Sequence, residues 1–166
     1  PRAGPGRARP TPGPAYSLLR YTPCPLDHQP RPTHEEAVAM ATEAMRGTLM
    51  ERLGIGWLEL GPERIVARMP VEGNTQVYGL LHGGATAALV ESVGSIGTAV
   101  VAGLDKRVAG IHLSVDHLRA AAAGHVTATA VPLRVGRSVA VWDVRVEDDA
   151  GELVAVGRLT VSIRSA

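Results

Sequence analysis

The residues able to do chemistry gather in one stretch, Gln76 to Ser95. It opens with Gln76-Val-Tyr-Gly-Leu-Leu-His82-Gly83-Gly84 and closes with Glu91-Ser92-Val-Gly-Ser95. Gly83-Gly84 begins a predicted helix, and a helix start carries unpaired N–H groups at the positive end of its dipole. Such donors suit the oxyanion that develops in acyl transfer, and glycine at both positions lets a carbonyl approach the backbone closely. Glu91 is the one ionisable group in an otherwise apolar, small-residue helix, where a carboxylate is costly unless paired or used. It could attack a thioester directly or activate water as a general base. His-Gly-Gly by itself is a weak signal, because a cap histidine is more often structural, and a lone helical Glu is usually solvated. Gln76, His-Gly-Gly and a Glu seven residues after the second Gly carry more together than apart.

Spacing limits how these groups can cooperate. Gly83 and Glu91 are eight residues apart, which is about 12 Å of helix rise. One chain cannot bring both to the same carbonyl carbon. Either they serve different purposes, or a second copy with its helix running antiparallel completes the site, which would make a two-fold dimer the catalytic unit.

The elements that must position them follow from periodicity and turn chemistry. Thr33 and Glu36 have capping-box spacing, and the Ala-, Met- and Glu-rich segment Glu35 to Leu53 predicts one helix ending at Gly54. Ile55 to Leu60 and Arg64 to Pro70 predict a hairpin, and Asn74 to Gly79 a loop. A helix from Gly83 to about Ala102 comes next. Four alternating, β-branched runs follow: Val108 to His117, His125 to Leu133, Ser138 to Glu147 and Leu153 to Ile163. Asp148-Asp149-Ala150-Gly151 is a hairpin turn. The fold class is therefore α+β, a mostly antiparallel sheet of about six strands with one long helix laid across it. Gly94, Ser95 and Gly97 predict close approach between that helix and the sheet, since mid-helix glycine costs about 1 kcal/mol without a packing reason.

Composition bounds the rest. The chain has 166 residues and 45% apolar content, enough for one domain with a real core. Residues 1–33 are rich in Pro, Gly and Arg and are expected to form an extension, leaving 34–166 as the domain. A net charge of +1 without a basic stripe argues against nucleic acid. Arginine outnumbers the single lysine, Lys106, without clustering on one periodic face, a skew we read as base composition. Cys24 stands alone in a Pro-rich stretch and reads as a free thiol. Polar residues interrupt the apolar run Ala85 to Ala102, so no membrane span is expected. Without an apolar leader in the sequence as given, the cytoplasm is the expected compartment. His112 and His117, five apart on a strand, point to opposite faces, and no metal site is expected. The chain has no Gly-x-Ser-x-Gly elbow.

From about Met45 to Ile163 the chain resembles the hotdog-fold thioesterases of the phenylacetate-pathway type. The likeness is greatest to the group that hydrolyses 1,4-dihydroxy-2-naphthoyl-CoA in menaquinone synthesis and proofreads carrier-bound aryl groups in siderophore synthesis. It rests on Gly79-Leu-Leu-His-Gly-Gly-Ala, Glu91-Ser-Val-Gly-Ser, Asp116-His-Leu-Arg119 and Pro132-Leu-Arg-Val-Gly-Arg137. Val77 and Tyr78 depart from the family's text. The resemblance implies a hotdog fold and hydrolysis of an acyl- or aroyl-CoA without a cofactor. It implies Glu91 as the catalytic carboxylate, Gly83 N–H as the carbonyl donor, and His82 and Gln76, from the opposite subunit, as orienting side chains. Ser95 would help place water. Gly84 adjoins the Gly83 donor in the predicted substrate-binding set, His117 and Arg119 would line the CoA region, and Arg137 would contact phosphate. A homodimer, further paired into a homotetramer, is implied too. The rival readings are a hotdog hydratase or dehydratase and a non-catalytic acyl-CoA-binding protein.

Overall fold

A computed structural model describes residues 33–103 and 105–165. The Pro-rich stretch therefore lies outside the described residues, apart from Thr33. Helix α1 (His34–Ala44) starts on the expected capping box, with Thr33 and Glu36 each accepting from the other's backbone. Where one helix to Leu53 was expected, there are two, because α2 is a separate turn (Leu49–Arg52). The break falls at Gly47, whose φ of 71° leaves the helical region.

Strands β1 (Gly56–Leu60) and β2 (Ile65–Pro70) form the expected hairpin. The long helix α3 (Gly83–Ala102) precedes β3 (Lys106–His117), β4 (His125–Val135), β5 (Val139–Asp148) and β6 (Leu153–Ser165). All six strands join one antiparallel sheet in the order β1-β2-β4-β5-β6-β3, so β1 and β3 are its edges. Strict alternation marks the face that takes the helix: Ile65, Ala67 and Met69 on β2, Val126, Ala128 and Ala130 on β4, and Ala140, Trp142 and Val144 on β5 are buried. Pro132 sits where β4 has run past the end of β2 and pairs only with β5, next to a bulge, so its missing N–H weakens no central ladder.

Helix α3 is long and apolar enough to cross a membrane by length and composition, yet half of that stretch is buried on the sheet. Its glycines set how deep it lies. A Cβ at Gly94 would stand 2.6 Å from Leu159, and one at Gly97 would stand 2.7 Å from Trp142 and 2.8 Å from Ile65. Just after Gly97, Thr98 donates to Gly94 O and accepts from the Trp142 indole, each at 2.8 Å, so the largest buried side chain is satisfied by the helix it packs against.

The far end of the sheet is tied by Asp149 in the β5–β6 turn, which accepts from His125 N at 2.9 Å and from Arg68 at 2.7 Å. Gly124, at a φ of 73°, leaves room for that carboxylate. The His125 backbone N–H, then Arg68, holds the Asp149 carboxyl below its ordinary range. In the unfolded chain those partners are absent and the proton binds at higher pH. The contribution to stability is thus complete above the unfolded value and lost as pH falls through the folded one.

Two stability tests follow from these contacts. Gly97→Ala is expected to cost about 1–3 kcal/mol by overpacking, and Thr98→Val a similar about 1–3 kcal/mol by leaving the indole N–H without an acceptor; urea unfolding reads both. Asp149→Asn should flatten the acid limb of thermal stability below about pH 4, where the parent chain continues to lose stability.

Candidate active site

The loop before α3 is held from both sides by Asn74, a buried residue. Its side-chain amide donates to Leu53 O at 2.8 Å and Pro70 O at 2.9 Å, and its carbonyl accepts from His82 N at 2.9 Å. Leu81 N reaches Ala121 O at 2.7 Å, which joins the loop to the segment after β3. Within the loop, Gln76 N bonds Leu80 O and Gly79 N bonds Gln76 O. The Gln76 side chain closes the same turn, accepting from Tyr78 N at 2.7 Å. A backbone donor there identifies Oε1, so the amide nitrogen keeps both its hydrogens for other partners. Val77 and Tyr78 form the exposed tip.

His82 is the N-cap of α3, and its Nδ1 accepts from Gly84 N at 2.8 Å. An imidazole accepting at Nδ1 carries its neutral-state proton at Nε2, where it is a donor. Gly84 N–H is thereby consumed, whereas Gly83 N–H has no acceptor among the described residues. A Cβ at Gly83 would stand 3.0 Å from His117 Nε2, so glycine here lets the imidazole lie against the helix start.

An open groove of about 380 Å³ lies at this helix end. Gln76, Gly83, His117 and Arg119 line it, together with Thr86 and apolar residues such as Leu118 and Val154. Four of the expected residues thus meet in one chain, with His82 and Gly84 adjoining. Arg119 is held by Glu152 at 2.8 Å in an exposed pair, the kind of contact an anionic ligand can replace at small cost.

Three expected residues stand apart. Glu91 is exposed, on the face of α3 turned toward edge strand β3. Its Oε1 would be 2.8 Å from a Cβ at Gly110, so that glycine is the seat of the carboxylate. Ser95, half-buried, follows Glu91 by one helical turn on the same face. Arg137 is exposed in the β4–β5 turn, where the neighbouring Ser138 O accepts from Ile163 N. That is the Lys106 end of β3, opposite the His117 end that touches Gly83. Among the described residues no three His, Cys, Asp or Glu side chains gather as a metal site.

Sequence reasoning passed over Asn74, Thr86 and Gly110. Thr86 was findable, since it follows Gly83 by three residues and shares its helix face; Asn74 and Gly110 act through contacts between elements that spacing does not reveal.

A donor-lined groove at a glycine-opened helix, with a separate exposed carboxylate, suits thioester chemistry, and comparison with known proteins decides the family. The Thioesterase superfamily profile matches residues 78–155. The proofreading thioesterase EntH of Cronobacter turicensis is 38% identical over 118 residues, covering 70% of this chain and 86% of that one. This chain belongs to the thioesterase superfamily. The 1,4-dihydroxy-2-naphthoyl-CoA hydrolase of Escherichia coli is 35% identical to this thioesterase over 118 residues, 70% of this chain and 87% of that one. Among solved structures, a mutant thioesterase of Pseudomonas aeruginosa superposes with a TM-score of 0.75 at 30% identity, over 78% of this chain and 94% of that one. The hotdog fold and a thioester hydrolase follow.

The His82 cap separates stability from chemistry. His82→Ala should lose about 0.5–2 kcal/mol of stability through the lost cap. His82→Asn should recover most of that, because Asn is a good N-cap acceptor, without restoring a ring donor at Nε2. Paired unfolding and turnover measurements on the two variants check this.

Proposed function

We propose that this thioesterase hydrolyses an acyl- or aroyl-CoA to the free acid and CoA, at a site shared by two copies of the chain. The observation that carries the reading is the split between the groove, where Gly83 N–H and the Gln76 amide converge, and Glu91, about 12 Å of helix away. Gly83 N–H and the helix dipole receive the carbonyl oxygen as it becomes an oxyanion, and Gln76 and His82 orient the thioester. Glu91 of the other copy attacks the carbonyl carbon or takes a proton from the attacking water, with Ser95 beside it to hold that water. The C–S bond breaks, and the sulfur leaves as thiolate and is protonated. Where Glu91 attacks, water then cleaves the anhydride it has formed, releasing the acid and restoring the carboxylate. Where water attacks, its oxygen stays in the acid.

Edge strand β3 supports the two-copy reading. It is 12 residues long, carries no proline and exposes Ile111, so its outer backbone groups are a template for another strand. Antiparallel pairing of two β3 edges about a two-fold axis places the Lys106 end of one beside the His117 end of the other. That arrangement turns each Glu91 toward the partner's helix start and brings each Arg137 end toward the partner's groove. Arg119 and Arg137 then flank the phosphorylated part of CoA, with His117 and Gly84 at the pantetheine arm. An aroyl group is favoured by likeness to the naphthoyl-CoA hydrolase, and its small, Ala- and Gly-rich surroundings admit a flat ring. The reading includes a cytoplasmic enzyme and a tetramer built from two such dimers.

Mixing two inactive variants tests the shared site. Glu91→Ala and Gln76→Ala are each expected to lose turnover of benzoyl-CoA by orders of magnitude while keeping the fold. Refolded together, they should regain about a quarter of parental activity, because half the dimers are mixed and each holds one intact site. A mixture as inactive as its components would place Gln76 and Glu91 in the same chain's site, and full activity of Glu91→Ala alone would remove Glu91 from the chemistry.

A further inference from the structure

Thr86 has no role in the machinery described so far. It is 1% exposed, yet it lines the groove beside Gly83, Gln76 and His117. Helical hydroxyls normally return to the carbonyl one turn back, as Ser92 does to Ala88 O at 2.7 Å and Thr98 to Gly94 O at 2.8 Å. The Thr86 hydroxyl makes no such bond, and the reason is local. Its partner would be His82 O, which already accepts from Ala85 N at 2.9 Å and Thr86 N at 3.2 Å, filling both lone pairs. Among the described residues no other group bonds this hydroxyl, so a donor on a groove-lining residue is left without a protein partner. A donor free at a groove wall is available to a ligand that brings an acceptor.

Position says which ligand atom that is. Thr86 follows Gly83 by three residues, so the two share one helix face, and helical side chains lean toward the N-terminus. The hydroxyl therefore reaches back toward the level of Gly83, whose own N–H is free. We infer that Thr86 Oγ1–H is a second donor to the thioester oxygen, joining Gly83 N–H in a two-donor oxyanion site. The inference rests on the proposed hydrolysis and deepens it. Two donors from one rigid turn stabilise the charge of an oxyanion, whereas the less charged ground-state carbonyl gains less from the second. The hydroxyl thus acts mainly on kcat.

The test compares Thr86→Val, which keeps the shape and removes the hydroxyl, with Thr86→Ser, which keeps the hydroxyl. Turnover of benzoyl-CoA is followed by thiol release, with Glu91→Ala alongside and thermal unfolding for each chain. Thr86→Val should lower kcat about 10- to 100-fold with KM within about twofold of the parent, and Thr86→Ser should retain most of the parental kcat. If valine disturbs the fold, Thr86→Ala against Thr86→Ser isolates the same hydroxyl. A kcat for the hydroxyl-free variant equal to that of Thr86→Ser overturns the inference, as does a loss confined to KM. When the parent turns over and Glu91→Ala does not, such a result removes the role of Thr86 alone; a parent inert on aroyl- and acyl-CoA thioesters removes the hydrolytic reading and this one together.

Discussion

Everything at the groove depends on how deeply α3 lies in the sheet, and that depth is set by missing side chains. At Gly94 and Gly97 any Cβ would collide with Leu159, Trp142 or Ile65. With none there, the helix sinks until Thr98 can accept the Trp142 indole N–H. At Gly157 on β6 the same holds from the other side, since a Cβ would meet Val90 of the helix at 2.7 Å. A helix held at that depth over 20 residues fixes both its start and its middle. Its start rests against His117, and its middle sets Glu91 on Gly110. Raising it by one methyl would disturb both contacts at once, because close-packed interiors transmit small changes of volume.

Three acceptor atoms at the helix start are already engaged by backbone N–H groups: His82 Nδ1 by Gly84, Gln76 Oε1 by Tyr78, and His82 O by Ala85 and Thr86. Donors are left beside them, the Gly83 N–H, the Gln76 amide nitrogen and the Thr86 hydroxyl, while the Arg119 guanidinium is held by Glu152 until an anion replaces it. Glu91, the proposed catalytic carboxylate, lies elsewhere on the helix. Separation keeps the carboxylate from pairing with the donors in the resting protein, where such pairing would spend both. In the proposed dimer the two sets meet only across the two-fold, with the substrate carbonyl between them.

The local elements were largely legible from the residues. The capping box at Thr33 and Glu36, the turn at Asp148 to Gly151 and the opening of α3 at Gly83 all appear where their chemistry predicts. Each depends on neighbours within a few residues, which sequence shows directly. The single helix predicted from Glu35 to Leu53 divided at Gly47, where conformational freedom outweighed the helix-forming residues on either side. The glycines in α3 were read correctly as packing residues, because their cost in a helix interior demands a compensation from outside it.

By itself, then, the sequence determined the order of elements, the donor-bearing helix start and the separation of Gly83 from Glu91 by about 12 Å of helix rise. Only the tertiary structure decided which residues share a surface. It gathered Gln76, Gly83, His117 and Arg119 from a loop, a helix start and a strand end, left Arg137 at the far end of β3, and turned Glu91 outward toward a free sheet edge. It also freed the Thr86 hydroxyl by filling the lone pairs of His82 O. The reason is the range of the forces: propensities, caps and turns act over a few residues, while groove, edge and exposure come from which faces pack together, a choice made between elements far apart in the chain.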